Sequence, residues 1–204
     1  MRALIEQSRG PGAAYHAVCV LSDQPAAAGL KVARDLGVPA QAISARDHPD
    51  RAGFERALAG AINQCSPALI ILAGFMRILS AQFVEAFSGR ILNIHPSLLP
   101  KYPGLDTHRR ALEAGEAEHG ATVHFVTEQL DGGPSIIQGR VAVMANDDEA
   151  SLAARVQALE HRIYPLAVRW FCEGRLRYAA GAAWLDGQIL GAPVQFDSRL
   201  GDAP

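Results

Sequence analysis

The sequence predicts an α/β fold, a mostly parallel sheet flanked by helices with an antiparallel extension. Three observations carry this expectation. Strand-like and helix-like segments alternate from about residue 14 to about residue 170, and no internal repeat or low-complexity linker interrupts them. The continuous apolar run Ala68-Leu69-Ile70-Ile71-Leu72-Ala73 suits a strand covered on both faces. Two β-rich segments, Thr122-Val123-His124-Phe125-Val126 and residues 136–143, are joined through Asp131-Gly132-Gly133, as in an antiparallel pair.

Each element has its own signature. Residues 1–7 read as the last turns of a helix, with no strand before them, and residues 15–21 as a strand. A helix follows in which Leu30, Ala33 and Leu36 line one face, Gly37 caps the end and Pro39 stops it. Residues 40–44 form a short strand, and Phe54, Leu58 and Ile62 recur at helical spacing. The apolar run at 68–73 precedes a short helix at 80–87, a strand at 90–95 and a helix at 107–114 that ends at Gly115. After the antiparallel pair, a long helix starts near Asp148. Leu152, Val156, Leu159, Ile163 and Leu166 form its core stripe, Asp147, Asp148 and Glu149 suit its positive N-terminus, and Pro165 is expected to kink or divide it. From residue 176 the chain reads as a small hairpin, with Asp186-Gly187 as the turn, and a loose end. We expect one domain over residues 1–204.

Composition narrows the function. Nineteen basic and twenty-one acidic residues are dispersed without any run of five like charges, which gives no footprint for nucleic acid or an anionic membrane. The expected partner is a small molecule. Cys19, Cys65 and Cys172 lack Cys-x-x-Cys spacing and read as core fillers in a reducing compartment. Residues 1–7 carry no signal-peptide core and no stretch reaches 18 apolar residues, so the expected location is the cytoplasm, with no membrane partner.

The chemistry concentrates in Ile91-Leu92-Asn93-Ile94-His95-Pro96-Ser97-Leu98-Leu99-Pro100 and Leu130-Asp131-Gly132-Gly133-Pro134. In an open parallel sheet, ligands sit beyond the carboxyl ends of the strands, where Gly74-Phe75-Met76-Arg77 and Asn93 to His95 fall. An amide donor, an imidazole and a carboxylate can together polarise a carbonyl, stabilise its oxyanion and manage an amine proton. Plainer readings stand beside this one: a structural His95, a simple Asp-Gly turn at Asp131, and core packing for Phe75 and Met76. His48, His108, His119 and His161 read as solvated surface. The spacing of His95, His108, His119 and His124 matches no zinc pattern, so no metal is expected. Ser97 lacks a nucleophile elbow.

Read together, residues 72–79 (LAGFMRIL), 92–104 (LNIHPSLLPKYPG), 119–127 (HGATVHFVT) and 130–134 resemble the phosphoribosylglycinamide formyltransferases over nearly the whole chain. The Asn-x-His and Leu-Asp-x-Gly-Pro elements belong to a wider formyltransferase group. The stretch LLPKYPGLDTH and the tail Ala182-Ala183-Trp184-Leu185-Asp186-Gly187 are similar to this family in particular. The resemblance implies a Rossmann-like formyltransferase fold and transfer of a formyl group from the co-substrate 10-formyltetrahydrofolate to the amine of 5-phosphoribosylglycinamide, in purine biosynthesis. It implies that Asn93 and His95 polarise the formyl oxygen, with His95 as proton donor, and that Asp131 holds His95 charged and helps remove the amine proton. It assigns Arg51, Met76, Arg77, Ile78, Leu79, Asn93, Thr127, Glu128, Gln129, Leu130 and Asp131 to the folate and Gln157, Ala158, Leu159 and Glu160 to the ribonucleotide. Both partners are small molecules, and the protein is expected to be a monomer or homodimer.

The resemblance also implies an opening strand and a Gly-x-Gly-Ser-Asn loop that holds the substrate phosphate, whereas these 204 residues start inside the following helix. The first strand is therefore expected to be missing and the chain loosely folded. Alternative readings are a non-catalytic, folate-binding remnant and a formyltetrahydrofolate hydrolase or transfer-RNA formyltransferase. The last two are disfavoured because the chain has no room for a regulatory domain or a basic C-terminal barrel.

Overall fold

The structure, a computed structural model, describes residues 1–10 and 12–197. The chain opens with helix α1 (Arg2–Gln7), strand β1 (Val20–Ser22), helix α2 (Ala28–Asp35) and strand β2 (Ala40–Ala42). It continues through α3 (Arg51–Cys65), β3 (Ile70–Leu72), α4 (Ala81–Ala86), β4 (Ile91–His95) and α5 (Thr107–Glu113). Strands β5 (Glu118–Phe125) and β6 (Ser135–Ala142) precede the long helix α6 (Glu149–Cys172). Four short strands close the described chain: β7 (Leu176–Ala179), β8 (Ala182–Leu185), β9 (Gln188–Ile189) and β10 (Val194–Gln195).

The expected α/β architecture is present, with β3 and β4 parallel and β4–β5 and β5–β6 antiparallel. The strands at 15–21, 40–44 and 68–73 are shorter than expected, because only Val20–Ser22, Ala40–Ala42 and Ile70–Leu72 find ladder partners. Strands β1 and β2 pair only with one another, in a two-stranded sheet, while the main sheet runs β10-β6-β5-β4-β3. The expected C-terminal hairpin is a three-stranded sheet, β7-β8-β9, that turns at Asp186 and Gly187, both at positive φ. Strand β10 then returns to pair with β6. Of the loose end expected after the hairpin, residues 198–204 lie outside the described residues.

Apolar burial explains how the layers hold. Helix α6 covers one face of the main sheet, where Leu152, Val156, Ile163 and Val168 meet Val123, Phe125 and Ile137, none more than 1% exposed. Helices α3 and α4 cover the other face through Phe54, Leu58, Ile62, Phe83 and Phe87 against Ile91. Pro165 does not divide α6: it is buried within one continuous 24-residue helix, started by an Asp148–Ser151 capping box. From that helix the buried Tyr164 hydroxyl reaches the carbonyls of Leu72 at 2.8 Å and Leu92 at 2.9 Å, tying α6 to β3 and β4 together. The cysteines correct their core-filler reading. Cys19 and Cys65 are half-buried and Cys172 is exposed.

Candidate active site

Strand β4 carries the centre of the site. Its period-two alternation puts Asn93 and His95 on one face, and the antiparallel register places Asn93 opposite His124 and His95 opposite Thr122 on β5. The loop after β4 is held from this neighbouring strand. Thr122 Oγ1 donates to the Ser97 carbonyl at 2.7 Å and accepts from the Leu99 amide at 3.1 Å, and Gln138 Nε2 on β6 donates to the Leu99 carbonyl at 2.7 Å. Ser97 donates in turn to the Lys101 carbonyl at 2.6 Å.

Within this frame His95 is 5% exposed and its Nε2 lies 2.8 Å from the Tyr102 carbonyl. A carbonyl only accepts, so Nε2 carries hydrogen. The other ring nitrogen, Nδ1, faces Asp131 Oδ2 at 3.4 Å. Both contacts are favourable together when the ring is an imidazolium. Asp131 reaches this position because the loop between β5 and β6 folds back: Asp131 adopts φ +50°, a left-handed conformation that Asp tolerates better than most residues. Gly133 permits the same fold, since a Cβ there would meet the Phe125 carbonyl oxygen at 1.9 Å. Asp131 Oδ2 also accepts from the Gly104 amide at 2.9 Å, which locks the two loops across the site. The Asp131 turn is thus structural and points its carboxylate at His95 as well.

His124 was missed as a site residue by sequence reasoning. Its Nδ1 donates to the Phe125 carbonyl at 2.9 Å, which leaves Nε2 free to accept from Asn93 Nδ2 at 3.3 Å. Burial pushes its pKa down, so the ring stays neutral and keeps that lone pair. The Asn93 amide is thereby oriented by a buried acceptor. The period-two relation of Thr122 and His124 was visible in the sequence, but the register that sets them opposite His95 and Asn93 was not.

His161 is exposed, as expected, and His48 and His108 are half-buried, but His119 corrects the surface reading. His119 is 1% exposed, and its Nε2 lies 3.1 Å from His108 Nδ1. Burial first and the His108 charge second push the His119 pKa down to about 4. Among the described residues no group of three or more His, Cys, Asp or Glu side chains could hold a metal ion.

The residues assigned to the folate fall in two groups. Arg51, Met76, Arg77, Ile78 and Leu79 line a cavity of about 560 Å³, together with His48 and Phe54. Met76 is 79% exposed, which corrects its core-packing reading. Thr127 to Leu130 are half-buried or exposed on the loop that ends in Asp131, and neither they nor Asn93 and His95 line that cavity. What unites the groups is the sheet: the 74–79 loop and the Asn93–His95 segment leave the carboxyl ends of the adjacent parallel strands β3 and β4. Arg51 donates to the Ile78 carbonyl at 2.7 Å and to Glu55 at 2.9 Å. Burial pushes the Glu55 carboxyl up, but the Ser80 and Arg51 hydrogen bonds outweigh it and hold the pKa below the usual value. Arg77 pairs with Asp23 at 2.6 Å and lies over the Phe54 ring.

The ribonucleotide stretch is on α6, where Gln157 and Ala158 are exposed and Glu160 is half-buried. Burial raises the Glu160 pKa to about 6, against the pull of the Met1 α-amino group. Leu159 is a correction. Its side chain is buried and fills the space over Gly139, where a Cβ would meet it at 2.6 Å, so it presents no side chain to a ligand.

This site belongs to a recognisable lineage. The model of the formyl transferase family matches residues 1–168. The chain belongs to the formyl transferase family. It is 53% identical over 171 residues to the Escherichia coli phosphoribosylglycinamide formyltransferase, covering 84% of this chain and 81% of that protein. The solved phosphoribosylglycinamide formyltransferase from Coxiella burnetii is 45% identical, with a TM-score of 0.91 over 96% of this chain and 92% of that one. A formyltetrahydrofolate deformylase from Pseudomonas putida matches with a TM-score of 0.79 at 29% identity, over 90% of this chain and 64% of its own. The family bears out the Rossmann-like fold and the formyltransferase class expected from the motifs.

Proposed function

We propose that this formyltransferase moves a formyl group from 10-formyltetrahydrofolate to the amine of 5-phosphoribosylglycinamide, in purine biosynthesis. The observation that carries the reading is the Asn93–His95–Asp131 arrangement at the end of β4, in a chain 53% identical over 171 residues to a protein named for that reaction. The amine nitrogen attacks the formyl carbon and the carbonyl electron pair moves to oxygen. Asn93 donates to that oxyanion through its second Nδ2 hydrogen, and His95 through its Nδ1 hydrogen, which at 3.4 Å from Asp131 is the loosely held one and turns to the oxygen. Collapse breaks the bond to N10 of the folate, which takes up a proton, while the amine gives one up toward Asp131, directly or through water.

The folate occupies the cavity beside Arg51, Met76, Arg77, Ile78 and Leu79, with its pterin against the 127–131 backbone. The ribonucleotide lies toward Gln157, Ala158 and Glu160. No metal takes part in this reading. No helix among the described residues is long and apolar enough to cross a membrane. Neither nucleic acid nor a membrane enters the scheme, and the protein acts in the cytoplasm as a monomer or homodimer.

The test is formyl transfer with both substrates, followed by product mass and by absorbance of the released folate. Transfer to the amine, lost in the His95→Ala variant, is the expected result. Formate release without the amine would instead favour the deformylase reading that the Pseudomonas putida likeness allows. Folate binding with neither reaction would favour a remnant.

A further inference from the structure

The loop between β4 and α5 holds a residue in a conformation that its own sequence opposes. Tyr102 adopts φ +55°, and Pro103 follows it. A bulky side chain disfavours the left-handed region and a following proline pushes a residue toward extended backbone, so the conformation is imposed by contacts. The contacts centre on Glu116, just beyond α5. The Tyr102 hydroxyl donates to Glu116 Oε1 at 2.8 Å, and the Lys101 ammonium donates to the two carboxylate oxygens at 2.8 and 2.9 Å. Lys101 first and Tyr102 second hold the Glu116 carboxyl below its usual pKa, so it stays ionised and accepts from both. Its backbone is anchored in turn, because the Glu116 amide donates to the Ala111 carbonyl at 3.1 Å. Arg110, on α5, lies over the Tyr102 ring at 5.2 Å and donates to the Pro103 carbonyl at 2.7 Å.

We propose that Glu116 is a positioning residue which, through Tyr102, fixes the tautomer of His95. The inference rests on the formyl-transfer reading above and deepens it. A neutral imidazole has one hydrogen for two nitrogens, and the neighbouring acceptors decide which nitrogen keeps it. The left-handed turn aims the Tyr102 carbonyl at His95 Nε2, 2.8 Å away, so Nε2 keeps its hydrogen throughout. Nδ1, which faces Asp131 at 3.4 Å, is then the nitrogen that gives up a hydrogen and regains it during transfer. Without that carbonyl, Asp131 draws the single hydrogen of the neutral ring to Nδ1. The exchanging nitrogen then becomes Nε2, the one turned away from Asp131.

Ring-nitrogen NMR of the full chain with 15N-labelled histidine reads the tautomer without substrate, His95 being identified by the signal lost in His95→Ala. Formyl transfer from 10-formyltetrahydrofolate reads the consequence. In the wild type the neutral His95 ring is expected to carry its hydrogen on Nε2. Glu116→Ala and Tyr102→Phe should each move hydrogen to Nδ1 and lower turnover about tenfold, with KM for both substrates within about twofold, as for the loss of one orienting hydrogen bond. Glu116→Gln, which keeps an acceptor for the tyrosine hydroxyl, should recover the Nε2 tautomer and most of the lost turnover. Tyr102→Gly in the Glu116→Ala background should regain turnover as well, because glycine takes a positive φ freely. An unchanged tautomer in Glu116→Ala and Tyr102→Phe, or a raised KM with turnover intact, overturns the positioning role. So does a Glu116→Gln variant as impaired as Glu116→Ala, or a double variant no more active than Glu116→Ala. A wild type that holds the Nε2 tautomer but transfers no formyl group overturns the transfer reading instead.

Discussion

The two parallel-paired regions of this molecule, the β1–β2 sheet and the five-stranded sheet, are held by different means. Strands β1 and β2 share three parallel residue pairs, none of them fully buried, and rest on a small cluster of Ile5, Ala33 and Val38 with α1 and α2. The five-stranded sheet is covered on both faces, by α6 on one side and by α3 and α4 on the other, and Leu92, Val123, Phe125 and Ile137 are completely inaccessible. Asn93, His95, His124 and Asp131 all belong to the second region. Positioning an oxyanion donor to a few tenths of an ångström needs a rigid support, and the packed sheet supplies it. The Asp23–Arg77 ion pair is one tie between the regions, carried by an exposed Arg77 and a half-buried Asp23, and a pair so near the surface is worth about 1 kcal/mol or less.

Removing chemistry from the rigid region should have the largest effect. His95→Ala is expected to lower turnover by roughly two to four orders of magnitude with unchanged circular dichroism, the usual loss for a positioned acid or oxyanion donor. A variant within tenfold of the wild type would show that His95 only supports the Tyr102 carbonyl. Asp131→Asn keeps the left-handed turn, because Asn adopts it too, and removes the charge facing His95. Turnover should fall about ten- to a hundredfold while folate affinity changes little. Calorimetry showing the reverse would make Asp131 a turn residue alone.

A smaller effect is expected from His124→Phe, which keeps the ring volume and removes the acceptor for Asn93. We expect turnover about tenfold lower with an unchanged KM for the folate, as for the loss of one orienting hydrogen bond. A KM change without a turnover change would place His124 in binding instead.

Acid should test the rigid region through His119. In the unfolded chain its imidazole takes a proton near pH 6.5, but in the fold only near pH 4, so the unfolded state binds more protons between these values. Stability is full above pH 6.5 and declines as the pH falls toward 4. His119→Gln, titrated by thermal melts alongside the wild type, should flatten that decline, and an identical slope in both proteins would remove His119 as its source. The mildest contrast is in hydrogen exchange: β1 and β2 amides should exchange faster than those of β4 and β5, and equal protection would erase the difference between the sheets.

Much of this was legible in advance because its causes are local. The stripe Leu152, Val156 and Ile163 announces α6, and the Phe54, Leu58 and Ile62 spacing announces α3, since one buried face imposes a helical period. Asn93 and His95 alternate on one strand, and Asp131-Gly132-Gly133 is a turn whatever surrounds it. The division expected at Pro165 does not occur, because its local cost is met by the burial of a whole helix face, which carries the helix through. Met76 misled because its residue type is usually buried, yet here it borders an open cavity.

The sequence by itself determined the kinds of element, the residues able to do acyl chemistry and, through its motifs, the family. Those follow from side-chain chemistry and short-range periodicity. Only the tertiary structure decided that Asp131 faces Nδ1 of His95, that His124 orients Asn93, and that His119 is buried against His108. The physical reason is that strand register and loop closure join residues about thirty positions apart, and their energy comes from contacts that no local window of the chain contains.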